Sequence, residues 1–585
     1  MMANAKRATF CSPGAVLVLA VAAAGGETTL EAKMKSGTGI SAVEFADITL
    51  ERGMLLARAR ATFDLYKGYS PKHVLSLNYS TTPSDHAFPG DTIGRYILST
   101  TLLCQALHEE EPETLKHVMA AIPGMLNEEG YLGWVLPKDR ADETGLANLG
   151  WANGLTEYYL WKRDRRALEM NRNLFARVVL PVKEAYYYYY SPEKNDGKIK
   201  WVHCTGDTAQ GFAIIDVCSR GYALFPSAEL KQETDELIRL YARLDRVKIK
   251  AQIHATLYLT RGMLRWYETQ GDPKHLELAK AIYDQYRSLA MTENYENYNW
   301  FGRPEWTEGC AIVDSLTVVQ RLFRMTGDPR YLADMQLILY NALLANQKGG
   351  DFGTNTCVGP NRQLFLKDGP APIAPWCCSV WGGKGLARTI QSTYFLAGPA
   401  LVVANFVNST VTARLAGGEL RLRQTSNYPY EGDVTFEILS APGATAAKEP
   451  ELRVFIPPWV LADSIELTVA GTSAKAEVRD SFLPIRRAFA AGDIVRLRFR
   501  QKAGPADLLD PKRTPGYHRY MHGPLVLGAD SREEKTLPLA EPLEPLGNGS
   551  YKAGGVTLVP LCDLANRRDD ARRAKSGAIQ VLFKD

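Results

Sequence analysis

The amino-acid sequence predicts an α+β multidomain protein, in which an α/α toroid or barrel of helical hairpins is followed by a C-terminal β-sandwich domain. Two patterns predict this fold class. Helical hairpins repeat across residues 76–395, and short alternating segments separated by turn residues fill residues 396–585. With 585 residues, the chain is long enough for two or three domains with a large buried core. We therefore expect a large helical domain with the β-sandwich after it.

The helical region repeats one layout with a period of roughly 55 residues. At 271–273 and again at 327–329, the sequence Gly-Asp-Pro separates two helical segments. Glycine ends a helix in the left-handed conformation, aspartate caps the next helix, and proline fits its first turn. Weaker copies occur at Glu111 and Asp164, so we expect about five or six hairpins. An open solenoid is the alternative, but loops of changing length favour a closed toroid with a central cleft.

The N-terminus has the parts of a secretory signal. Lys6 and Arg7 precede a short apolar stretch at 15–24 that ends in Ala-x-Ala. We therefore expect residues 1–25 to be a signal peptide and the protein to be secreted or periplasmic; a frayed apolar N-terminus is the alternative. The stretch is too short to span a bilayer, and no other run is long and apolar enough. Residues 26–75 are a mixed segment that could add strands to the β domain.

Charge and cysteine content narrow the class of protein. The net charge is +4 and the basic residues form no extended stripe, so nothing indicates a nucleic-acid partner. No membrane partner is expected, and the sequence does not indicate the oligomeric state. The chain has nine cysteines, an odd number at irregular spacings, which is unlike a disulfide scaffold. Some of these sulfurs are therefore expected to have a role other than pairing.

Four residues could hold a metal ion: Glu308, Cys310, Cys377 and Cys378. Three thiolates and one carboxylate suit tetrahedral Zn²⁺, because soft sulfur favours zinc over calcium or magnesium. The spacing predicts Glu308 and Cys310 in a loop before a helix that begins near Ala311, and the adjacent cysteines in an irregular loop. This is not a zinc-finger spacing. A strained vicinal disulfide or buried inert thiols remain alternatives at this point.

Residues 291–310 combine four glutamates with several aromatic and amide side chains. Aromatic faces provide apolar platforms for sugar rings, and polar groups bind the hydroxyls. Glycoside cleavage also needs a carboxyl group that can stay protonated, and Glu293 or Glu296 could supply it. The alternative interpretation is a solvated loop.

The sequence resembles a known family in several segments. ENYENYNWFGRPEWTEGCAIVDS (293–315), NTCVGP (355–360) and WCCSVWGGKGLAR (376–388) are similar to glycoside hydrolase family 127, the bacterial β-L-arabinofuranosidase type, and to its relatives of the same clan. Further similarity lies in the later β region, at 428–438, 454–459 and 522–528. The resemblance spans most of the chain. It implies an (α/α)6 barrel followed by β-sandwich elements, in agreement with the repeat pattern.

The resemblance also implies roles for the cluster. Glu308, Cys310, Cys377 and Cys378 would bind zinc, and Cys377 would be the nucleophile. Zinc keeps a sulfur deprotonated, and the thiolate is the nucleophilic form. Attack on the anomeric carbon would give a thioglycosyl intermediate that water hydrolyses with retention.

The family's acid/base is a glutamate upstream of the Glu-x-Cys motif. Glu293 and Glu296 both lie upstream of Glu308, and Glu293 is preferred.

Four residues are predicted to bind substrate. His254 is similar to a family histidine that contacts the sugar, although a buried structural histidine is as compatible with its sequence context. Asn153 lies where some relatives carry a histidine. Trp300 and His203 lie in aromatic or polar segments that could line the cleft. Differences from the family pattern, such as Asn153, leave the identity of the sugar open: it could be arabinofuranose, another pentose or a deoxy-sugar.

The predicted function is that of a zinc-dependent retaining glycosidase that releases β-L-arabinofuranose or a similar sugar from plant-type glycans. Its partner would be an oligo- or polysaccharide, and its cofactor Zn²⁺. Two alternatives are a barrel-fold lyase or carboxylate-based hydrolase with a structural zinc, and a non-catalytic carbohydrate-binding protein. The linkage and the choice between exo and endo action stay open.

Overall fold

The structure is a computed structural model that describes most of the chain after residue 37. The described residues are 38–77, 79–83, 87–136, 140–142, 148–181, 200–202, 208–303, 307–353, 356–358, 363–366, 377–442, 449–531, 533–567 and 578–584. The predicted signal peptide at 1–25 and His203 lie outside these ranges.

The helices occupy the first two thirds of the chain, with a further one near the C-terminus. They are α1 (Met54–Gly68), α2 (Pro71–Ser76), α3 (Asp91–Leu107), α4 (Glu113–Ala121), α5 (Asn148–Lys162), α6 (Arg165–Leu174), α7 (Ile214–Tyr222), α8 (Ala228–Ala242), α9 (Ile253–Gln270), α10 (Pro273–Leu289), α11 (Gly309–Thr326), α12 (Arg330–Ile338), α13 (Leu344–Asn346), α14 (Cys377–Gln391) and α15 (Leu561–Arg567).

The helices form two concentric layers. Within the described part of the chain, six of them make a closed inner ring in the order α3, α5, α7, α9, α11 and α14, and α14 returns to α3. Outer helices cover this ring: α6 packs on α5, α8 on α7, α10 on α9 and α12 on α11. The ring closes, so the arrangement is a toroid rather than an open solenoid.

The sequence at the helix junctions explains where the helices end. Gly271 ends α9 with a φ of 77°, which suits glycine because it has no Cβ. The Asp272 side chain then accepts a hydrogen bond from the Lys274 amide, and Pro273 starts α10. Asp164 caps α6 in the same way.

Two inner helices approach each other very closely through glycines. A Cβ placed on Gly94 of α3 would lie 2.2 Å from the carbonyl carbon of Gly150 on α5. Real Cβ atoms do not tolerate such a contact, so this pair of helices needs glycine at the crossing. The two glycines therefore allow α3 and α5 to pack closely within the inner ring.

The strands make up the rest of the fold. They are β1 (Ile40–Ala42), β2 (Ile48–Leu50), β3 (Arg140–Asp142), β4 (Lys200–Val202), β5 (Gln347–Lys348), β6 (Asp351–Phe352), β7 (Thr356–Val358), β8 (Gln363–Leu366), β9 (Tyr394–Ala397), β10 (Ala400–Val403), β11 (Ser409–Leu415), β12 (Gly418–Ser426), β13 (Gly432–Ser440), β14 (Glu451–Phe455), β15 (Glu466–Val469), β16 (Thr472–Ala474), β17 (Phe482–Arg486), β18 (Ile494–Phe499), β19 (Ala503–Ala506), β20 (Tyr517–His522), β21 (Leu525–Asp530), β22 (Glu544–Gly547), β23 (Ser550–Ala553), β24 (Val556–Pro560), β25 (Ala578–Gln580) and β26 (Phe583–Lys584).

Two sheets follow the helical ring in sequence. One has the order β1-β9-β10-β14-β17, and the other the order β16-β15-β18-β13-β12-β11-β2. In β13, Val434, Phe436 and Ile438 are buried and alternate with less buried residues, as a strand covering one face of a core requires. The strands β1 and β2 come from the N-terminal segment and pair with β9 and β11.

A third sheet belongs to the C-terminal β domain, by which we mean residues 503–584. Its order is β22-β23-β24-β21-β25-β8-β7, and β20 joins β21 to β19 and β26. The strands β7 and β8 come from the chain between α13 and α14, so the helical domain contributes strands to this sheet. The predicted fold class, an α+β multidomain protein with a helical barrel followed by β-sandwich elements, is confirmed.

Among the described helices, none combines the length and apolarity needed to cross a bilayer.

Candidate active site

Four predicted metal ligands come together at one end of the helical ring. The ligand atoms of Glu308, Cys310, Cys377 and Cys378 all lie within 4.8 Å of one another. The Cys310 and Cys378 sulfurs are 3.3 Å apart, and the Cys377 and Cys378 sulfurs are 3.8 Å apart. Two segments distant in sequence thus form one compact cluster.

The N-termini of two inner helices carry this cluster. Glu308 is the N-cap of α11, Cys310 is the second residue of that helix, and Cys377 and Cys378 are the first two residues of α14. Glu308 thus lies before the helix as expected, whereas the expected loop position of Cys310 is wrong, because α11 begins at Gly309. The expected irregular loop around the adjacent cysteines is also wrong, because these residues already belong to a helix. Converging helix N-termini favour thiolates, since the positive ends of both helix dipoles point at the sulfurs.

Gly309 lets the two helices approach. A Cβ on this residue would lie 2.7 Å from the Gly353 carbonyl oxygen and 3.2 Å from the Cys378 Cβ. The residue between these two candidate ligands, Glu308 and Cys310, therefore has to be small. This explains the Glu-Gly-Cys sequence in local steric terms.

The three thiols of the cluster are not equivalent. Hydrogen bonds from the Cys310 and Cys378 thiols hold the pKa of Cys377 well below its ordinary value, and the Arg95 charge lowers it further. Burial raises the pKa of Cys310 and of Cys378. Cys377 is also partly exposed, whereas Cys310 and Cys378 are buried. The sulfur that loses its proton first is thus the accessible one.

The donor set fits zinc. Tetrahedral zinc holds sulfur ligands at about 2.3 Å, which places two sulfurs about 3.8 Å apart. The observed sulfur separations of 3.3 and 3.8 Å are close to this spacing. Three sulfurs with one carboxylate also match the ligand preference of zinc rather than that of calcium or magnesium.

Arg95 of α3 lies directly against the cluster. Its Nη1 donates to the Cys310 sulfur at 3.2 Å, its Nε donates to Asp91 Oδ1 at 2.7 Å, and its Nη2 lies 3.2 Å from His254 Nε2. The guanidinium also lies over the Trp381 ring, 4.7 Å from its centroid. One buried cation therefore links a thiol, a carboxylate, a histidine and an aromatic ring.

The hydrogen bonds of His254 define its tautomer. Arginine can only donate, so Nε2 accepts from Arg95 and the ring proton is on Nδ1. That proton faces Asp314 Oδ2, 2.7 Å away. Both ring nitrogens are thus engaged within the protein, and the ring orients Arg95. A substrate contact by His254 stays a prediction.

Asp314 is the centre of a buried charge network behind the cluster. It lies one helical turn after Cys310 on α11 and is fully buried. Besides His254, it accepts from Arg261 Nη1 at 2.7 Å, Lys384 Nζ at 3.1 Å and Trp381 Nε1 at 3.3 Å.

Asn153 belongs to the deeper part of this network. Its Nδ2 lies 3.1 Å from Asp216 Oδ2 and 2.6 Å from the Tyr258 hydroxyl, and only 1% of the residue is exposed. Asp216 in turn accepts from Arg261 and Arg265. The structure therefore engages the Asn153 amide within the protein, and its predicted contact with substrate stays a prediction.

Trp300 lies beside the start of α9. An isolated β-bridge joins Trp300 to Gln252, and the Asn299 carbonyl accepts from the Ile253 amide at 2.9 Å. The Trp300 ring is largely buried under the Arg303 guanidinium, 4.1 Å from the ring centroid. The main chain at Trp300 thus pairs with Gln252, which lies two positions before His254 in the chain.

The two candidate acid/base glutamates have different surroundings. The Glu293 carboxylate accepts from the Leu509 amide at 2.7 Å and the Asp510 amide at 3.2 Å, and it pairs with Arg519 at 3.4 Å. All three partners belong to the C-terminal β domain. Glu296 is buried, with 1% of the residue exposed.

Sequence reasoning assigned no individual role to Asp91 or Arg95. Asp91 is the first residue of α3, and burial raises the pKa of its carboxyl group, with the Cys377 charge adding to the effect. The two residues are four apart on one helix, a spacing that allows an ion pair. That spacing was the available signal, but it did not indicate a contact with Cys310.

The chain matches two family models of the same family. The catalytic-domain model of the β-L-arabinofuranosidases of glycoside hydrolase family 127 matches residues 49–380, and the middle-domain model matches residues 400–501. These matches, with the helical barrel and its β domains, define the protein as a glycoside hydrolase. The chain belongs to glycoside hydrolase family 127, the β-L-arabinofuranosidase family.

Solved structures show the same fold over nearly the whole chain. A family 127 β-arabinofuranosidase superposes with a TM-score of 0.69 and 15% identity, covering 94% of this chain and 98% of its own. A structure described as a glycoside hydrolase gives 0.68 and 14%, covering 95% and 100%. A family 127 β-L-arabinofuranosidase from Geobacillus stearothermophilus gives 0.66 and 14%, covering 92% and 100%. No curated protein sequence matches the chain.

Proposed function

We propose that this glycoside hydrolase is a zinc-dependent retaining enzyme with Cys377 as its nucleophile. Its substrate is an oligo- or polysaccharide of plant type, from which it releases β-L-arabinofuranose or a similar sugar. The cluster of Glu308, Cys310, Cys377 and Cys378 carries the proposal, because its donor types and distances fit zinc. Of the cysteines whose side chains the structure describes, Cys377 alone is not buried.

Glu308, Cys310 and Cys378 would hold the metal together with Cys377. Bound zinc supplies a positive charge that keeps the coordinated sulfur deprotonated at neutral pH. The two helix N-termini and the Arg95 guanidinium act in the same direction, since each stabilises negative charge on the sulfurs. The hydrogen bond from Arg95 withdraws electron density from the Cys310 sulfur, so this sulfur is a weaker nucleophile. Cys377 is therefore the thiolate best suited to attack.

The reaction proceeds by two displacements at the anomeric carbon. In the first, the Cys377 sulfur forms a bond to this carbon while the glycosidic C–O bond breaks, and the acid gives its proton to the leaving oxygen. In the second, the same carboxylate takes a proton from water, whose oxygen displaces the sulfur. Each displacement inverts the configuration, so the product retains it.

We assign the acid/base role to Glu296 rather than to Glu293. Three donors from the C-terminal β domain already engage the Glu293 carboxylate, so its oxygens are turned toward that domain. A general acid must instead place its carboxyl group within hydrogen-bond reach of the leaving oxygen. Glu296 lies three residues before Asn299, whose carbonyl is bound to the start of α9 beside His254.

Asp91 is the second candidate for the acid. Its raised pKa and its place beside the cluster favour it. The Glu296→Gln and Asp91→Asn variants separate the two candidates. Loss of the acid slows substrates with poor alkyl leaving groups far more than activated aryl glycosides, because only the former need a proton on the leaving oxygen. The variant with this selective defect identifies the acid/base.

A carboxylate-based hydrolase with a structural zinc is the competing mechanism. Both mechanisms use the same barrel, but only the proposed one requires the Cys377 sulfur. A screen of aryl pentofuranosides and related glycosides, with zinc measured on the same sample, tests the activity. The Cys377→Ala variant tests the mechanism: we expect no turnover, and substantial activity in this variant would exclude cysteine attack.

We further propose that residues 1–25 export the protein to the periplasm or the cell exterior. The basic residues Lys6 and Arg7 before a short apolar stretch support this proposal. Expression of the full chain followed by N-terminal sequencing tests it. Loss of about the first 25 residues is expected, and an intact N-terminus in the cytosol would contradict export.

A further inference from the structure

We infer that Glu293 and Arg519 form a clamp through which the C-terminal β domain positions the loop that carries the acid/base. Glu293 is then a positioning residue, although its sequence position favours a catalytic role. The inference rests on the proposed function for the identity of the acid/base, Glu296. The contacts themselves do not depend on that assignment.

The clamp consists of contacts between the loop and residues about 220 positions later in the chain. The Glu293 carboxylate accepts from the amides of Leu509 and Asp510, at 2.7 and 3.2 Å. Arg519 of β20 donates to the Glu293 carbonyl at 2.6 Å and to the Tyr295 hydroxyl at 2.9 Å. Its guanidinium also lies 5.0 Å from the Tyr295 ring centroid. The C-terminal β domain therefore holds the main chain and the side chains of the loop.

The clamped residues form the tip of a tight hairpin. Met291 and Asn297 face each other across it, the Thr292 amide donates to the Glu296 carbonyl at 3.0 Å, and Tyr295 adopts a φ of 63°. A positive φ is unfavourable for tyrosine and persists only where the surroundings impose it. Arg519 contacts the residues on either side of Asn294, so it holds this strained turn in place. Glu296 follows the turn directly.

The other arm of the loop is held by the helical barrel. The Asn299 carbonyl accepts from the Ile253 amide at 2.9 Å, and the Phe301 amide donates to the Ala251 carbonyl at 3.2 Å. Glu296 thus lies between a tip fixed by the β domain and an arm fixed by α9. With both ends held, the position of Glu296 depends on the relative placement of the two domains.

Burial makes the clamp sensitive to loss of either partner. Glu293 is 7% exposed, Arg519 4% and Tyr295 4%. Removal of Arg519 leaves a buried carboxylate with only its two amide donors, and the loop tip loses the carbonyl and hydroxyl contacts as well. The same β domain also pairs β25 with β8, in the chain segment that leads to Cys377. It is therefore connected to the segments that carry both proposed catalytic groups.

The test compares Arg519→Met and Glu293→Ala with the control Arg496→Met. Arg496 of β18 pairs with Asp433 of β13 on an exposed strand surface, and its described side-chain contacts lie within that sheet rather than with the loop. Hydrogen–deuterium exchange of the 291–303 peptide, zinc content, and kcat and KM on an aryl pentofuranoside are measured for each variant. We expect at least about tenfold faster exchange in this peptide and about tenfold lower kcat for both clamp variants, with zinc content and KM near those of the parent enzyme.

Azide separates positioning from catalysis. Azide replaces the missing base of a true acid/base variant, by attacking the anomeric carbon of the glycosyl-cysteine and displacing the thiolate to give a glycosyl azide. We expect azide to restore turnover in Glu296→Ala but not in Glu293→Ala. Rescue of Glu293→Ala, or unchanged loop exchange in Arg519→Met, would overturn the clamp. If the parent enzyme proves inactive on every glycoside, the proposed function fails, and loop exchange still decides the clamp.

Discussion

The Arg95 guanidinium donates a hydrogen bond to the sulfur of Cys310, with 3.2 Å between Nη1 and Sγ. This contact places a permanent positive charge beside three thiols at the N-termini of two helices. It also makes the three sulfurs chemically different, because only Cys310 accepts from arginine among the described contacts of the cluster.

Replacement of Arg95 is expected to weaken zinc binding. In Arg95→Met the thiolates lose a stabilising charge, and Asp91 loses its buried partner. We expect the zinc dissociation constant to rise about tenfold, equivalent to about 1.4 kcal/mol. Competition with a chromophoric chelator measures it. Arg95→Lys should recover part of the zinc affinity. An unchanged zinc dissociation constant in Arg95→Met would show that the contact between Arg95 and Cys310 does not affect metal binding.

Gly309→Ala is expected to damage the cluster by steric overlap. The new Cβ would meet the Gly353 carbonyl oxygen at 2.7 Å and the Cys378 Cβ at 3.2 Å, so the start of α11, which carries Cys310, has to shift. Overpacking of this kind costs about 1–3 kcal/mol. Thermal unfolding and zinc content both report the effect.

Gly68→Ala is the matched control for this substitution, because a Cβ there meets nothing within 4 Å. We expect it to leave the melting temperature and zinc content unchanged. Equal behaviour of the two alanine variants would contradict the steric argument.

Asp314→Asn is expected to destabilise the barrel strongly. Asp314 accepts from Arg261, Lys384 and His254 in the fully buried interior. Removal of its charge takes the carboxylate partner from the buried Lys384 and leaves Arg261 with Asp216 alone, which costs about 3–5 kcal/mol. Urea unfolding measures the change.

Asp433→Asn serves as the comparison, since Asp433 pairs with Arg496 and Arg498 on an exposed surface. Exposed pairs contribute at most about 1 kcal/mol. A similar loss of stability in the two variants would contradict a larger contribution of the buried network to the free energy of unfolding.

Removal of the metal is expected to abolish activity and lower the melting temperature. Zinc that binds only the folded chain stabilises it by mass action, so a chelator removes that contribution. Added Zn²⁺ should restore activity and stability, whereas Mg²⁺ should not, because it prefers oxygen ligands. Full activity after complete removal of zinc, verified by metal analysis, would contradict the proposed role of the cluster.

Local patterns in the sequence predicted the fold because they act over short distances. The Gly-Asp-Pro junction at 271–273 caps and ends helices by contacts between near neighbours, and the alternation in β13 follows from one buried face. The start of α14 could not be predicted in this way. Its first turn holds Cys377 and Cys378 against α11, and nothing in the local spacing of two adjacent cysteines indicates a helix.

Residue types and the family resemblance predicted the candidate metal ligands of the site, but not the contacts that surround them. Composition and resemblance singled out Glu308, Cys310, Cys377 and Cys378, which the structure brings together. The partners of Glu293 lie in another domain, so its loop suggested catalysis while its contacts indicate positioning. Arg95 was assigned no individual role for the same reason, since its contact with Cys310 spans 215 positions of the chain.

Trapping of a covalent intermediate tests the proposed attack by Cys377. The enzyme is quenched during turnover of an activated aryl pentofuranoside, digested and analysed by peptide mass spectrometry. We expect a mass increase of one pentosyl unit on the peptide that contains Cys377, at the Cys377 sulfur and not at Cys378. A pentosyl group on a carboxylate, or inversion of the anomeric configuration without any covalent species, would contradict attack by Cys377.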